Sequence, residues 1–219
     1  MKRDNGVEAV LTKSGIRERS STSTRTIEKE KLIVRFAGDS GDGMQVVGAR
    51  FTDATAVAGN DLATLPDFQA EIRAPAGTPA GVSAFQIHFA SRDIQTPGDH
   101  PNVLVAMNPA ALKANLAVIA SDATVIVNED AFVKRNFDKA GYDSNPLEDG
   151  TLERHQLVRV PMTTLTVRAT EGIEGLKPAD AQRAKNLFAL GLVSWMYGRP
   201  TDATTSWIEE KFASKPEIK

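Results

Sequence analysis

The stretch LIVRFAGDSGDGMQVVG, residues 32–48, decides the fold. Leu32 to Ala37 read as a buried strand that runs into a glycine cluster. Met44, Val46, Val47, Phe51, Ala54 and Val57 then recur as on one face of a helix that stops before Gly59. The first unit is therefore strand, glycine turn, helix. Backbone amides and a helix N-terminus in that setting can cradle a phosphate, and glycine permits positive φ and close approach of a ligand.

Three familiar loops share parts of this turn. A nicotinamide-dinucleotide fingerprint needs G-x-G-x-x-G and an acid ending the next strand about 20 residues on. Here the third glycine falls at Val46, and Asn60 to Pro66 does not read as a strand ending in an acid. Asp39 and Asp42 would also repel a pyrophosphate. A Walker A loop needs Lys-Ser or Lys-Thr after the glycines, and none follows. Gly41-Asp42-Gly43 matches the start of the thiamine diphosphate motif, but the chain contains no Asn-Asn pair to complete it, so this GDG reads as a decoy. The G-x-S-x-G spacing of a serine-hydrolase elbow is absent as well, because Gly41 follows Ser40 directly. A plain structural strand-to-helix turn remains open beside any ligand role.

Working outward, strands are expected at Phe85–Phe89, Asn102–Ala106, Thr124–Val127 and Leu157–Val160. Asn108 can cap a helix and Pro109 suits its first position, giving a crossover over Pro109–Ala117. One long amphipathic helix is expected over Pro178–Tyr197, with Ala181, Ala184, Phe188, Gly191 or Leu192, and Trp195 on its packed seam, and a last helix over Asp202–Phe212. Alternating strands and helices argue for a three-layer, Rossmann-like α/β domain with a mostly parallel sheet.

Composition narrows the chemistry. The chain has 219 residues, 41% of them hydrophobic, enough for one sizeable core. With 26 basic and 28 acidic residues it has no positive excess for a nucleic-acid backbone. It contains no cysteine, which removes disulfides, thiolate nucleophiles and cysteine-ligated clusters from this chain. Three dispersed histidines, His88, His100 and His155, do not suggest a metal site. No apolar run approaches the roughly 20 residues of a membrane span, so a cytoplasmic protein without a membrane partner is expected. Residues 1–29 read as a disordered extension, because Asp4, Glu8 and Glu18 disfavour a transit peptide.

Four blocks in order, IVRFAGDSGDGMQVVGARF (33–51), FQAEIRAPAGTPAGVSAFQIHFA (68–90), PNVLVAMNPAALKAN (101–115) and RAKNLFALGLVSWMYGRP (183–200), closely resemble the gamma domain of 2-oxoacid:ferredoxin oxidoreductases. More narrowly they look like the 2-oxoglutarate enzymes in which this domain is fused to the N-terminus of the alpha subunit. Asp42 stands where many gamma domains have glutamine, and the common E-x-R-G-G block is here Glu71-Ile72-Arg73-Ala74-Pro75. The resemblance implies a gamma-type domain over 30–215, followed by the start of a linker or tail at 216–219, either as a stand-alone gamma subunit or, the reading favoured, as a fragment of a longer protein. It also implies a complex that oxidatively decarboxylates a 2-oxoacid, reduces ferredoxin and forms an acyl-CoA. Thiamine diphosphate, magnesium and iron–sulfur clusters would sit on other domains or chains, with a thiamine-binding alpha region and a beta subunit as partners.

Within that expectation, Gly38, Asp39, Ser40, Gly41, Asp42 and Gly43, together with Asn108, Thr163 and Thr164 at two other strand ends, would converge on one crevice. Arg73 could add a phosphate contact there. Coenzyme A is the expected ligand. The alternative is a scaffold whose Trp195, Met196 and Tyr197 dock neighbouring subunits, against which core packing of Trp195 is favoured. Residues 73–82 read either as a mobile flap or as an ordered turn.

Overall fold

In the computed structural model, residues 10–12, 15–17, 29–71, 73–91 and 93–214 are described. The expected disordered extension falls largely outside them. Its described parts are Lys29 and two strands, β1 (Val10–Thr12) and β2 (Gly15–Arg17), which pair antiparallel in a small separate sheet.

The main sheet has six strands: β3 (Lys31–Asp39), β4 (Asp61–Asp67), β5 (Val82–Ala90), β6 (Val103–Ala106), β7 (Thr124–Asn128) and β8 (Gln156–Val160). Their order is β4-β5-β3-β6-β7-β8, and β3, β6, β7 and β8 pair parallel. Only β5 runs against the rest, antiparallel to both β3 and β4. The mostly parallel α/β sheet expected from sequence is what forms.

Helices cover both faces. Helices α1 (Met44–Val57) and α6 (Lys185–Met196) close one face over Val34, Phe36, Ile87, Val103, Val105 and Ile126. On the other, α2 (Pro109–Asn115) and α3 (Lys134–Ala140) pack over Ala37, Leu104, Ala106, Val125 and Val127. Buried on both sides, the central strands carry apolar runs, unbroken in β6 and interrupted in β3 only by Arg35, which is why they were readable. The remaining helices are α4 (Met162–Ala169), α5 (Pro178–Arg183) and α7 (Asp202–Lys211).

Three expectations are corrected. Asn60–Pro66 was not read as a strand, yet β4 occupies Asp61–Asp67 and ends in an acid. It is a half-exposed edge strand, where Pro66 is tolerated, so neither composition nor alternation marks it. Because β4 pairs only with antiparallel β5, Asp67 still does not stand where a dinucleotide fingerprint needs its acid. The single helix expected over Pro178–Tyr197 is instead α5 and α6, divided at Ala184.

The face that α6 buries also differs from the expected seam: it is Ala189, Leu190, Val193 and Ser194, and Trp195 is 76% exposed. Core packing of Trp195 is thereby overturned. Residues 187–196 are apolar almost all the way round, so periodicity could not choose the inward face.

Helix α1 lies very close to β5 at Gly48, where an added Cβ would stand 2.1 Å from the Phe85 ring. Gly48→Ala is therefore expected to lower stability by about 1–3 kcal/mol through overpacking. Urea denaturation would read this as a lower midpoint, and an unchanged midpoint would show that α1 can lift off the sheet at no cost.

Candidate functional site

The glycine turn closes mainly on itself. Beyond β3, the Asp42 amide donates to the Asp39 carbonyl at 2.8 Å, and Asp42 Oδ2 accepts from the Asp39 amide at 3.1 Å. The Ser40 amide donates to Gly81 O at 3.1 Å. Gly43, at φ 72, turns the chain into α1. Asp42 Oδ1 pairs with Lys185 Nζ at 2.9 Å, so α6 begins against this turn. Three of the amides that a phosphate cradle would offer are thus already engaged, whereas Gly41 is exposed with nothing within 4 Å of an added Cβ.

Both oxygens of Asp42 have partners: one holds the Lys185 ammonium and the other the Asp39 backbone amide. Among the described residues, no cluster of three or more His, Cys, Asp or Glu side chains is arranged to hold a metal ion.

Beside the turn lies a cavity of about 90 Å³ lined by Asp39, Ala76, Gly77, Asn108, Pro109, Asn136 and Lys139. It opens where β3 and β6 end, the usual ligand position in open α/β sheets. Asn108 caps α2 through Oδ1, which accepts from the Ala111 amide at 2.8 Å. Asn136 Nδ2 donates to Ala131 O at 2.8 Å. Lys139 Nζ reaches Ala76 O at 3.4 Å from the other wall. Asp39 Oδ1 accepts from the Gly77 amide at 3.1 Å, tying the turn to the loop that follows β4. Burial raises the Asp39 pKa above 3.8 and the neighbouring Asp42 adds to it, opposed by the Gly77 amide, Asn108 and Lys185.

The sequence-predicted residues come together only in part. Asp39 and Asn108 share the cavity. Thr163 and Thr164 start α4 and turn toward the end of β7 instead. The Thr163 hydroxyl accepts from Asn128 Nδ2 at 3.1 Å, and Thr164 bonds Asp130 through its amide at 2.8 Å and its hydroxyl at 2.9 Å. Arg73 is exposed at φ 70, away from the cavity lining. Its loop is internally bonded, through Glu71 N to Ala80 O at 3.3 Å and Gly81 N to Thr78 O at 3.0 Å.

Sequence reading missed Gly77, Asn136 and Lys139. The last two lie on α3, a short polar helix whose only written signals are the Lys134–Asp138 pair at i,i+4 and the αL Gly141 after its end.

Against known proteins, residues 33–219 match the family model described as pyruvate ferredoxin/flavodoxin oxidoreductase. Over 189 residues the chain is 60% identical to the 2-oxoglutarate oxidoreductase subunit KorA of Mycobacterium tuberculosis; the match covers 86% of this chain but 29% of that protein. Among solved structures, the chain is similar to the 2-oxoglutarate:ferredoxin oxidoreductase of Magnetococcus marinus, solved with 2-oxoglutarate, coenzyme A and succinyl-CoA bound. The TM-score is 0.62 at 26% identity, over 86% of this chain and 28% of that one. The gamma subunit of a keto/oxoacid ferredoxin oxidoreductase from Geobacter sulfurreducens shares the fold, with TM-score 0.58 at 15% identity, over 84% of this chain and 90% of that one.

Because the folded chain holds the Asp39 proton more tightly than the unfolded chain, ionising Asp39 costs stability as pH rises from 3.8 through the raised value. Asp39→Asn removes that loss. The stability of the variant relative to the parent is expected to increase between acid pH and neutrality in paired urea titrations. A difference that stays constant with pH would contradict the burial of this carboxyl.

Proposed function

The chain belongs to the pyruvate ferredoxin/flavodoxin oxidoreductase family, and from that premise we propose that it is the gamma-type region of a 2-oxoglutarate:ferredoxin oxidoreductase whose crevice forms part of the coenzyme A site. The reaction assigned to the whole enzyme is oxidative decarboxylation of 2-oxoglutarate, with two electrons passed to ferredoxin and the succinyl group to the thiol of coenzyme A. The observation that carries the reading is the meeting of the Asp39 turn, Asn108 and Lys139 at the ends of parallel strands. The Magnetococcus marinus enzyme, which shares this fold, was solved with coenzyme A bound.

The cavity holds more than a phosphate cradle would. Asn108 and Asn136 present amides, Lys139 an ammonium and Asp39 a buried carboxyl, a mixture suited to a ligand with both neutral amides and phosphates. Thiamine diphosphate, magnesium and the clusters belong to other parts of the enzyme in this reading, because this chain has neither the Asn-Asn pair that completes the thiamine motif nor a cysteine. A docking role for the same domain is supported separately by the exposure of Trp195.

Calorimetric titration of the assembled enzyme with coenzyme A tests the proposal. Lys139→Ala removes a charge from the cavity wall and is expected to weaken binding about tenfold, the loss of roughly one charged hydrogen bond; Gly41→Val fills open space at the turn and is expected to weaken binding by obstructing a ligand's approach to it. Unchanged affinity in both variants and in Arg73→Ala would move the coenzyme A site off this domain. Viologen reduction that requires both 2-oxoglutarate and coenzyme A checks the reaction itself.

A further inference from the structure

Helix α6 carries two apolar stripes. The inner one, Ala189, Leu190 and Val193, is buried in the core. The other, outer one runs through Phe188, Gly191, Leu192 and Trp195 at i, i+3, i+4 and i+7; Phe188 and Leu192 are partly buried against the same core, whereas Gly191 and Trp195 are exposed. Trp195 is 76% exposed, and no atom lies within 4 Å of where a Gly191 side chain would begin. Val57, 71% exposed, ends α1 at the same end of the sheet, since Arg199 just after α6 bonds Asn60 just after α1.

A helix that is apolar all round is normally enclosed all round. A bilayer does not provide the enclosure by being crossed: α6 has 12 residues and spans about 18 Å, against the roughly 30 Å of membrane hydrocarbon. No described helix is long and apolar enough to cross a membrane.

We infer that the outer stripe of α6, led by Trp195, docks against the polypeptide that makes up the rest of the oxidoreductase. This rests on reading the chain as one region of a larger enzyme. Length supports that occupant: the matched fold is 29% of the Mycobacterium tuberculosis relative and 28% of the Magnetococcus marinus chain, so most of each lies outside it. Chemistry supports an apolar partner face, because the four stripe residues are uncharged and tryptophan is a common interface anchor. Gly191, between Phe188 and Trp195, leaves a notch in which a partner side chain can reach the α6 backbone. The surface also lies clear of the crevice, since α6 starts at the glycine turn through Lys185 and carries Trp195 at its far end.

The test is a photo-crosslink in the intact enzyme, purified with all its chains. Trp195 is replaced by p-benzoylphenylalanine, and crosslinked peptides are identified by mass spectrometry, with hydroxyl-radical labelling of the native Trp195 in parallel. The expected result is a crosslink to polypeptide outside residues 1–219, with Trp195 protected from labelling relative to the unfolded enzyme. A crosslink to residues 1–219 of a second copy would overturn the assignment of the occupant. Labelling of Trp195 as fast as in the unfolded enzyme would overturn the docking itself. If either happens in a preparation that reduces viologen with 2-oxoglutarate and coenzyme A, the functional reading survives and only the docking inference falls. A preparation without that activity would remove the functional reading as well.

Discussion

A guanidinium lies inside this fold. Arg35, in the middle of the central strand β3, is 8% exposed and points to the face covered by α2. A buried cation without partners costs several kcal/mol, so its environment has to be built around it. Nε donates to Asn115 Oδ1 at 2.5 Å, Nη1 to Gln86 Oε1 at 3.4 Å, and Nη2 pairs with Asp67. Those three partners come from the end of α2, from β5 and from the end of β4, so one side chain joins four elements. Gln86 in turn donates to Pro97 O and Gly98 O, which holds the connection before β6 against the sheet. The one reversed strand and the half-exposed edge strand thus keep their register through a polar link as well as through the backbone ladder.

That link also explains part of what the sequence hid. Arg35 interrupts an apolar run without ending the strand, because its charge is satisfied by residues 32, 51 and 80 positions away. No local pattern encodes such pairings. The same distance effect conceals β4, whose Asp61, Pro66 and Asp67 look like turn residues until Arg35 and β5 are in place. Elements that satisfy themselves locally were legible: the doubly buried strands, the Asn108–Pro109 helix start, and α1 after its glycine turn.

The candidate site divides along the same line. Asp39 and Asn108 could be placed because each sits at the end of an apolar strand, a position that local sequence marks. Lys139, Asn136 and Gly77 reach the cavity only through tertiary packing of α3 and of the loop after β4, and nothing near them in sequence announces a ligand. Thr163 and Thr164 do lie just beyond a strand, but Asn128 and Asp130 claim their hydrogen-bonding groups first. The turn itself carries more acid than a phosphate loop would, with Asp42 held by Lys185 and Asp39 held by Gly77.

Helix α6 is fastened at both of its ends. Lys185 grips Asp42 at one, and Arg199, just past the other, grips Asn60 while its guanidinium covers the Phe89 ring at 5.3 Å. A rod clamped in this way cannot slide along its axis without breaking one clamp, although it can roll. A load applied along the α6 axis at Trp195 would therefore be borne by the Arg199–Asn60 contact at the near end and the Lys185–Asp42 contact at the glycine turn.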